Sequence, residues 1–330
     1  MKKIIFVLLV VSLIIGIFAI SGLAATRWVA NSVWPPNNHQ SIGLVEFAEK
    51  INEDTNGELN IVVETGGALG YKGPELLKAV RDGLVPLSDM LVSGVAGDEM
   101  IFQIVTLPFL ALDSGEAKLL SDISRPFFNK AAAKWKQKIL YIAPWPAAGL
   151  WTKDEILSVE DMKGLKTRTY DKNGALVVEA TGGTPYALPF SEVYSSLATG
   201  LIDSVITSSP TGVDGKFWEV LNYFQRLNIT QATDMVTVNL KAFSKLDKET
   251  QQILIDTGIE MEKIMWKRVE ELDAEKESIC NENGIVSVPV TDELKAELSK
   301  ITAGIREEWL DEAPADAVVI YKKFMEAVGR

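Results

Sequence analysis

Two stretches of the chain, residues 78–94 (KAVRDGLVPLSDMLVSG) and 195–209 (SSLATGLIDSVITSS), repeat one order of signals. Each passes from a helical pattern through Gly-Leu to an Asp, an apolar strand and a few small polar residues. A helix that hands over to a strand so quickly is the grammar of an α/β layer. Its occurrence in both halves predicts two similar lobes, each with its own sheet. The rest of the chain keeps alternating. Strand patterns fall at 27–31, 59–63, 89–93, 139–143, 165–170 and 202–206. Ile42, Val45, Ala48 and Ile51 share a helical face closed by Asn56-Gly57, and further helices are predicted at 174–181 and 191–199. From Lys248 to about Asn281 runs a charged helix without proline, with Gly258 its one glycine. At about 1.5 Å per residue it would be ~50 Å long, enough to run along both lobes. Two helices, about 292–310 and 315–328, finish the chain.

The N-terminus follows a different grammar. Lys2 and Lys3 precede an apolar run from Ile4 to Ile20, then Ser21-Gly22-Leu23-Ala24. This predicts a secretory signal peptide at 1–24; a retained anchor is the competing reading, because the run is long for an h-region. Cys280 lies far from that site, so no lipid-modified cysteine starts the mature chain. The expected product is an exported, soluble, acidic protein.

Composition then removes most chemistry. A net charge of −12 argues against nucleic acid as a partner, since backbone phosphates need clustered Lys and Arg. A single cysteine forms no intrachain disulfide or multi-thiolate metal site. A single histidine, His39, makes Ser-His-Asp, Cys-His and multi-histidine zinc chemistry unsuitable. The loop TGGALG at 65–70 lacks the Lys-Ser/Thr of a P-loop and the dinucleotide spacing, so its glycines read as a tight turn at a cleft edge. No catalytic residue, metal or cofactor is expected. Adjacent acids such as Asp98-Glu99 and Glu160-Asp161 keep one different class open, a secreted carboxylate-dependent hydrolase, but no motif places them in a cleft.

Arg168 stands apart. Alternation in LKTRTY puts it on one side with Lys166 and Tyr170. An arginine near the end of a short, partly buried strand calls for an anion, and its planar fork suits a carboxylate; a structural ion pair is the rival reading. Tryptophans are the second anomaly. Trp218 and Trp266 sit in helical patterns and read as core, whereas Trp34, Trp145 and Trp151 flank strand ends near prolines. Those three read either as ligand-facing rings or as plugs under loops.

Several blocks occur in a specific order: FAEK at 47–50, TNGEL at 55–59, GGALG at 66–70, LPFL at 107–110, EDMKGLKTR at 160–168 and SEVY at 191–194. Leu197, Thr199-Gly200 and Asp203 follow. In this order they resemble the solute-binding proteins of tripartite ATP-independent periplasmic (TRAP) transporters, the DctP-type family. The resemblance implies an α/β fold of two lobes around a cleft, with hinge strands and a long bracing helix. Lobe I would comprise 25–147 plus about 234–275, and lobe II 148–233 plus about 276–330. It implies that Arg168 pairs with the carboxylate of an organic acid, and that Phe190, Thr207 and Ser93 face the cleft. It implies delivery to TRAP membrane permease subunits, driven by an ion gradient, by a chain expected to be a monomer.

The family's frequent second arginine, in a Gly-aromatic-Arg segment, is absent. The nearest position holds Trp151, within WPAAGLWT at 145–152. Trp151, Trp145 and Trp34 would then form an aromatic slot, favouring a monocarboxylate with an aromatic or apolar body over a dicarboxylate. The alternative ligand is a small 2-oxo or 2-hydroxy acid, hydrogen-bonded by Tyr170, Thr207 and Ser208.

Overall fold

The computed structural model describes residues 25–330. The expected signal peptide lies outside the described residues, and among those no helix is long and apolar enough to cross a membrane. The first half runs β1 (Thr26–Asn31), α1 (His39–Asp54), β2 (Leu59–Glu64), α2 (Leu76–Arg81), β3 (Leu87–Leu91), α3 (Ser114–Lys134) and β4 (Gln137–Pro144). The chain then crosses to a second sheet. There it forms β5 (Gly149–Thr152), β6 (Lys166–Thr169), α4 (Lys172–Ala180), β7 (Thr184–Ala187), α5 (Val193–Ala198), β8 (Ser204–Thr207), α6 (Ser209–Asp214) and β9 (Tyr223–Gln225). It returns as β10 (Thr233–Asn239), followed by α7 (Leu240–Phe243), α8 (Lys248–Glu282), β11 (Val286–Val288), α9 (Asp292–Glu312) and α10 (Ala315–Ala327).

Lobe I holds the sheet β2-β1-β3-β10-β4, and lobe II the sheet β11-β9-β5-β8-β6-β7. Strands β1, β2 and β3 are parallel, as helical crossovers demand, whereas β10 enters antiparallel between β3 and β4. In lobe I the apolar face of α1 supplies Phe47 and Ile51 to a core with Leu59, Leu87 and Tyr141. On the other face α3 sets Phe128 edge-on to Phe102 at 5.0 Å.

Two extended segments, 145–148 and 229–232, cross side by side between the lobes and bind each other. Trp145 N donates to Ala232 O (2.9 Å), Ala148 N to Thr230 O (2.8 Å) and Ile229 N to Ala148 O (3.0 Å). Helix α8 braces this hinge as one unbroken helix. It puts Leu254, Met261 and Met265 into the lobe I core and Cys280 into that of lobe II. Its one glycine has a reason: a Cβ at Gly258 would stand 2.6 Å from the Leu140 carbonyl oxygen of β4.

Three expectations change. The 21-residue helix α3 lies where the pattern reading assigns no element, because Pro126 and its small residues blur the apolar stripe. The helix expected over 191–199 starts as a 3-10 turn, Phe190–Glu192, before α5. The chain beyond 276 does not all stay in lobe II. Helix α9 packs on α4, but α10 returns to α3, burying Ile320 and Phe324 in the cluster of Phe102 and Phe128.

Candidate ligand-binding site

A cavity partly open to solvent lies between the lobes beside the hinge. Lobe I and the hinge contribute Trp34, Leu91, Trp145, Pro146, Ala148 and Ala232. Lobe II contributes Arg168, Tyr170, Phe190, Thr207, Ser208 and Thr211. An outer vestibule continues from it, shared by Trp34, Arg168, Tyr170 and Phe190 and edged by Gly66, Gly67 and Gly70 of the TGGALG loop. These glycines have φ of 65°, 70° and 84°, and the loop is tied down by Gly66 N donating to Trp34 O and Gly67 N to Ser32 O.

Arg168 is 4% exposed. It sits on β6 between β7 and β8, paired in register with Tyr186 and Val205. Its Nε donates to Leu188 O at 3.0 Å, and among the described residues no carboxylate forms an ion pair with it. Burial lowers its pKa to about 10, with Tyr170 and Asp171 pulling the other way. A guanidinium taken out of water without an ion-pair partner is costly unless an anion joins it. The rival reading of Arg168 as half of a structural ion pair is thereby removed. Tyr170 lies beside it, with the guanidinium carbon 6.0 Å from the ring centroid, but the Tyr170 hydroxyl is engaged with Thr230 Oγ1 at 2.7 Å. Ser208 precedes α6 as its N-cap residue without a side-chain capping bond.

Facing Arg168 is a wall of indoles. Trp34 and Trp145 meet edge-on at 4.6 Å, and Phe190 leans on Trp34 at 6.2 Å. Both indole N–H groups donate to one carboxylate: Trp145 Nε1 to Asp234 Oδ1 (2.6 Å) and Trp34 Nε1 to Asp234 Oδ2 (2.7 Å). Asp234 on β10 neighbours Asp89 on β3, both buried. Burial raises Asp89 well above the usual carboxylate range and Asp234 to about 6.

The structure turns two expected residues away. Trp151, expected in the slot, is fully buried in the lobe II core, stacked on Phe224 at 4.2 Å and edge-on to Phe217 at 5.4 Å. Strand β5 is central, between β8 and β9, so Trp151 packs between the flanking residues Val205 and Phe224, and its Nε1 donates to Thr207 O. Gly212 makes room for it; a Cβ there would fall 2.5 Å from the indole. Ser93 is buried beside Asp171, off the cavity wall. The remaining expected residues, Arg168, Trp145, Trp34, Tyr170, Phe190, Thr207 and Ser208, share the cavity. Pattern reading missed Thr211, and missed Asp89 and Asp234 entirely. A lone Asp in a strand carries no sign of the indoles that reach it from elsewhere. Among the described residues no group of three or more His, Cys, Asp or Glu is arranged for a metal ion.

Two sheets, hinge segments, a bracing helix and a buried arginine in the cavity between lobes together define a two-lobed solute-binding protein. The model for the DctP family, "Bacterial extracellular solute-binding protein, family 7", matches residues 30–312, and the chain belongs to that family. It resembles the monocarboxylate 2-oxoacid-binding periplasmic protein all3028 of Nostoc, with 28% identity over 303 residues, 87% of this chain and 80% of that protein. Two solved Bordetella pertussis receptors, DctP7 and DctP6, both described as binding pyroglutamic acid, superpose closely. DctP7 has a TM-score of 0.89 at 28% identity, covering 91% of this chain and 99% of the receptor. DctP6 has 0.88 at 30%, covering 91% and 100%. The protein is an extracytoplasmic receptor that binds a small organic acid for a TRAP permease, and it is not an enzyme. The hydrolase alternative falls with that assignment.

Proposed function

We propose that the ligand is a compact monocarboxylic acid bearing an oxo, hydroxy or lactam oxygen, with pyroglutamate and small 2-oxo acids as the model compounds. The observation that carries this is Arg168, buried on the wall of the cavity between the lobes with no ion-paired carboxylate among the described residues. One carboxylate takes the guanidinium fork. The hydroxyls of Thr207, Ser208 and Thr211 suit a second oxygen, while Trp34, Trp145 and Phe190 cover an apolar ring face. With Trp151 in the core, the aromatic slot loses one wall, and the preference for indole or phenyl acids over small oxygenated acids reverses. The pyroglutamate of the Bordetella receptors and the 2-oxo acids of the Nostoc protein support the same ordering. Lobe closure about the hinge would exclude water and strengthen the arginine–carboxylate pair before the closed form docks on the permease.

Titration calorimetry on the mature chain tests this with pyroglutamate, pyruvate, lactate, phenylacetate, indoleacetate and succinate. Pyroglutamate or a small 2-oxo or 2-hydroxy acid should bind tightest. Tightest binding of an aryl acid or of succinate would sink the reading.

A further inference from the structure

We propose that Asp234 is a positioning residue for ligand binding, fixing the Trp34–Trp145 wall as an ionised acceptor, with Asp89 as the proton-bearing acid beneath it. This rests on the cavity's being the ligand site.

The donor count leads there. Asp234 spends both oxygens on the two indole N–H groups, at 2.7 and 2.6 Å. Three hydrogen bonds favour its charged form, from Trp145, Asp89 and Trp34. Asp89 is placed oppositely. Its Oδ2 accepts from Ser32 Oγ at 3.3 Å, and its Oδ1, also buried, meets no donor among the described residues. Asp89 and Asp234 bond side chain to side chain; two carboxyls so bonded in a dry site share a proton rather than both ionise, and the oxygen without another donor carries it. Asp89 therefore donates and Asp234 accepts. The indoles come from β1's loop and from the hinge, and Asp234 from the strand that re-enters lobe I. One carboxylate thus ties three chain segments at the hinge side of the cavity.

Other groups near the pair do not replace this role. Tyr141 on β4 is kept protonated by burial and then by the two acids. His39 on α1 is neutral, its pKa lowered to about 3 by burial, with Nε2 against Pro144 O and its ring edge-on to Trp145 at 4.6 Å. Glu46 on α1 and Arg268 on α8 are paired with each other at 2.6 Å, Lys276 acts on His39 from α8, and Arg168 faces the wall from lobe II.

The roles of the two acids predict unequal variants. Asp234→Asn sets an amide N–H against an indole N–H in a dry site. It should weaken pyroglutamate binding by about tenfold or more and change the near-ultraviolet circular dichroism of the tryptophans. Asp89→Asn substitutes a donating N–H for a donating O–H, so affinity should stay within about threefold and the tryptophan band should persist. Equal losses in both variants, or a wild-type band and affinity in Asp234→Asn, overturn the proposal.

The unmodified chain supplies a measurement independent of variant folding. Its tryptophan band should change as pH falls from about 7 to about 5 and Asp234 gains a proton, with far-ultraviolet signal constant. A band unchanged over that range overturns the proposal. If the unmodified chain does not bind pyroglutamate, the ligand reading fails instead, and the tryptophan band still decides on Asp234.

Discussion

The two lobes bring buried charges of opposite sign to one cavity and treat them differently. In lobe I the protein compensates its own charge: Asp234 receives both indoles and shares a proton with Asp89. In lobe II, Arg168 has one carbonyl acceptor and, among the described residues, no ion-paired carboxylate. A satisfied buried charge organises structure, whereas an unsatisfied one stores affinity for whatever completes it.

Removing the unsatisfied charge tests this contrast most strongly. Arg168→Ala should cost roughly 3–5 kcal/mol of pyroglutamate binding, a hundredfold or more by calorimetry. Arg168→Met should likewise lose binding yet melt at or above the wild-type temperature without ligand, because it removes an uncompensated buried cation. If its ligand-free melting temperature drops sharply, Arg168 is compensated by the protein and the contrast fails.

Titrating the satisfied charge comes next. Asp234 has a folded pKa of about 6 against an ordinary value of 3.8. The folded state therefore holds its proton more tightly than the unfolded one, and stability contributed by this group falls as pH rises from about 4 to about 6. The effect is on the order of 2 kcal/mol. Comparing denaturant midpoints of wild type and Asp234→Asn across that range isolates it; identical pH dependence would remove Asp234 as the titrating group.

Gly212→Ala probes the other tryptophan environment. Overpacking against Trp151 should cost about 1–3 kcal/mol of stability. Urea melts would show this with pyroglutamate affinity of the folded fraction little changed. A loss of affinity without a loss of stability would return Trp151 to the site.

The smallest effect is expected at the cleft mouth. Lys72 Nζ of lobe I reaches Glu192 of lobe II at 2.5 Å, with both side chains well exposed. Lys72→Ala should weaken pyroglutamate binding by less than about threefold, and the difference should vanish at high salt. A large, salt-insensitive loss would mean that Lys72 touches the bound acid.

How far the sequence could be read follows from the range of each signal. Strand alternation placed Arg168 and Tyr170 on one face, and both line the cavity. The helical pattern from Lys248 became α8 almost residue for residue, because its periodicity and Asp247 cap are local. Trp145 and Trp151 looked alike, each near a strand end and close to Pro146. One lies in the hinge, and the other sits on a strand flanked on both sides, where the facing layer is core. No neighbouring residue distinguishes those fates.

The sequence by itself determined the alternating α/β elements, the family and the strand face that carries Arg168, since each is written in periodicity or in contiguous motifs. Only the tertiary structure decided that Trp151 is core, that α10 returns to lobe I, and that Asp89 and Asp234 share the underside of an indole wall. Those outcomes depend on which strands become neighbours and which faces they cover. They are set by burial and hydrogen-bond satisfaction between residues far apart in the chain, as with Trp34 and Asp234.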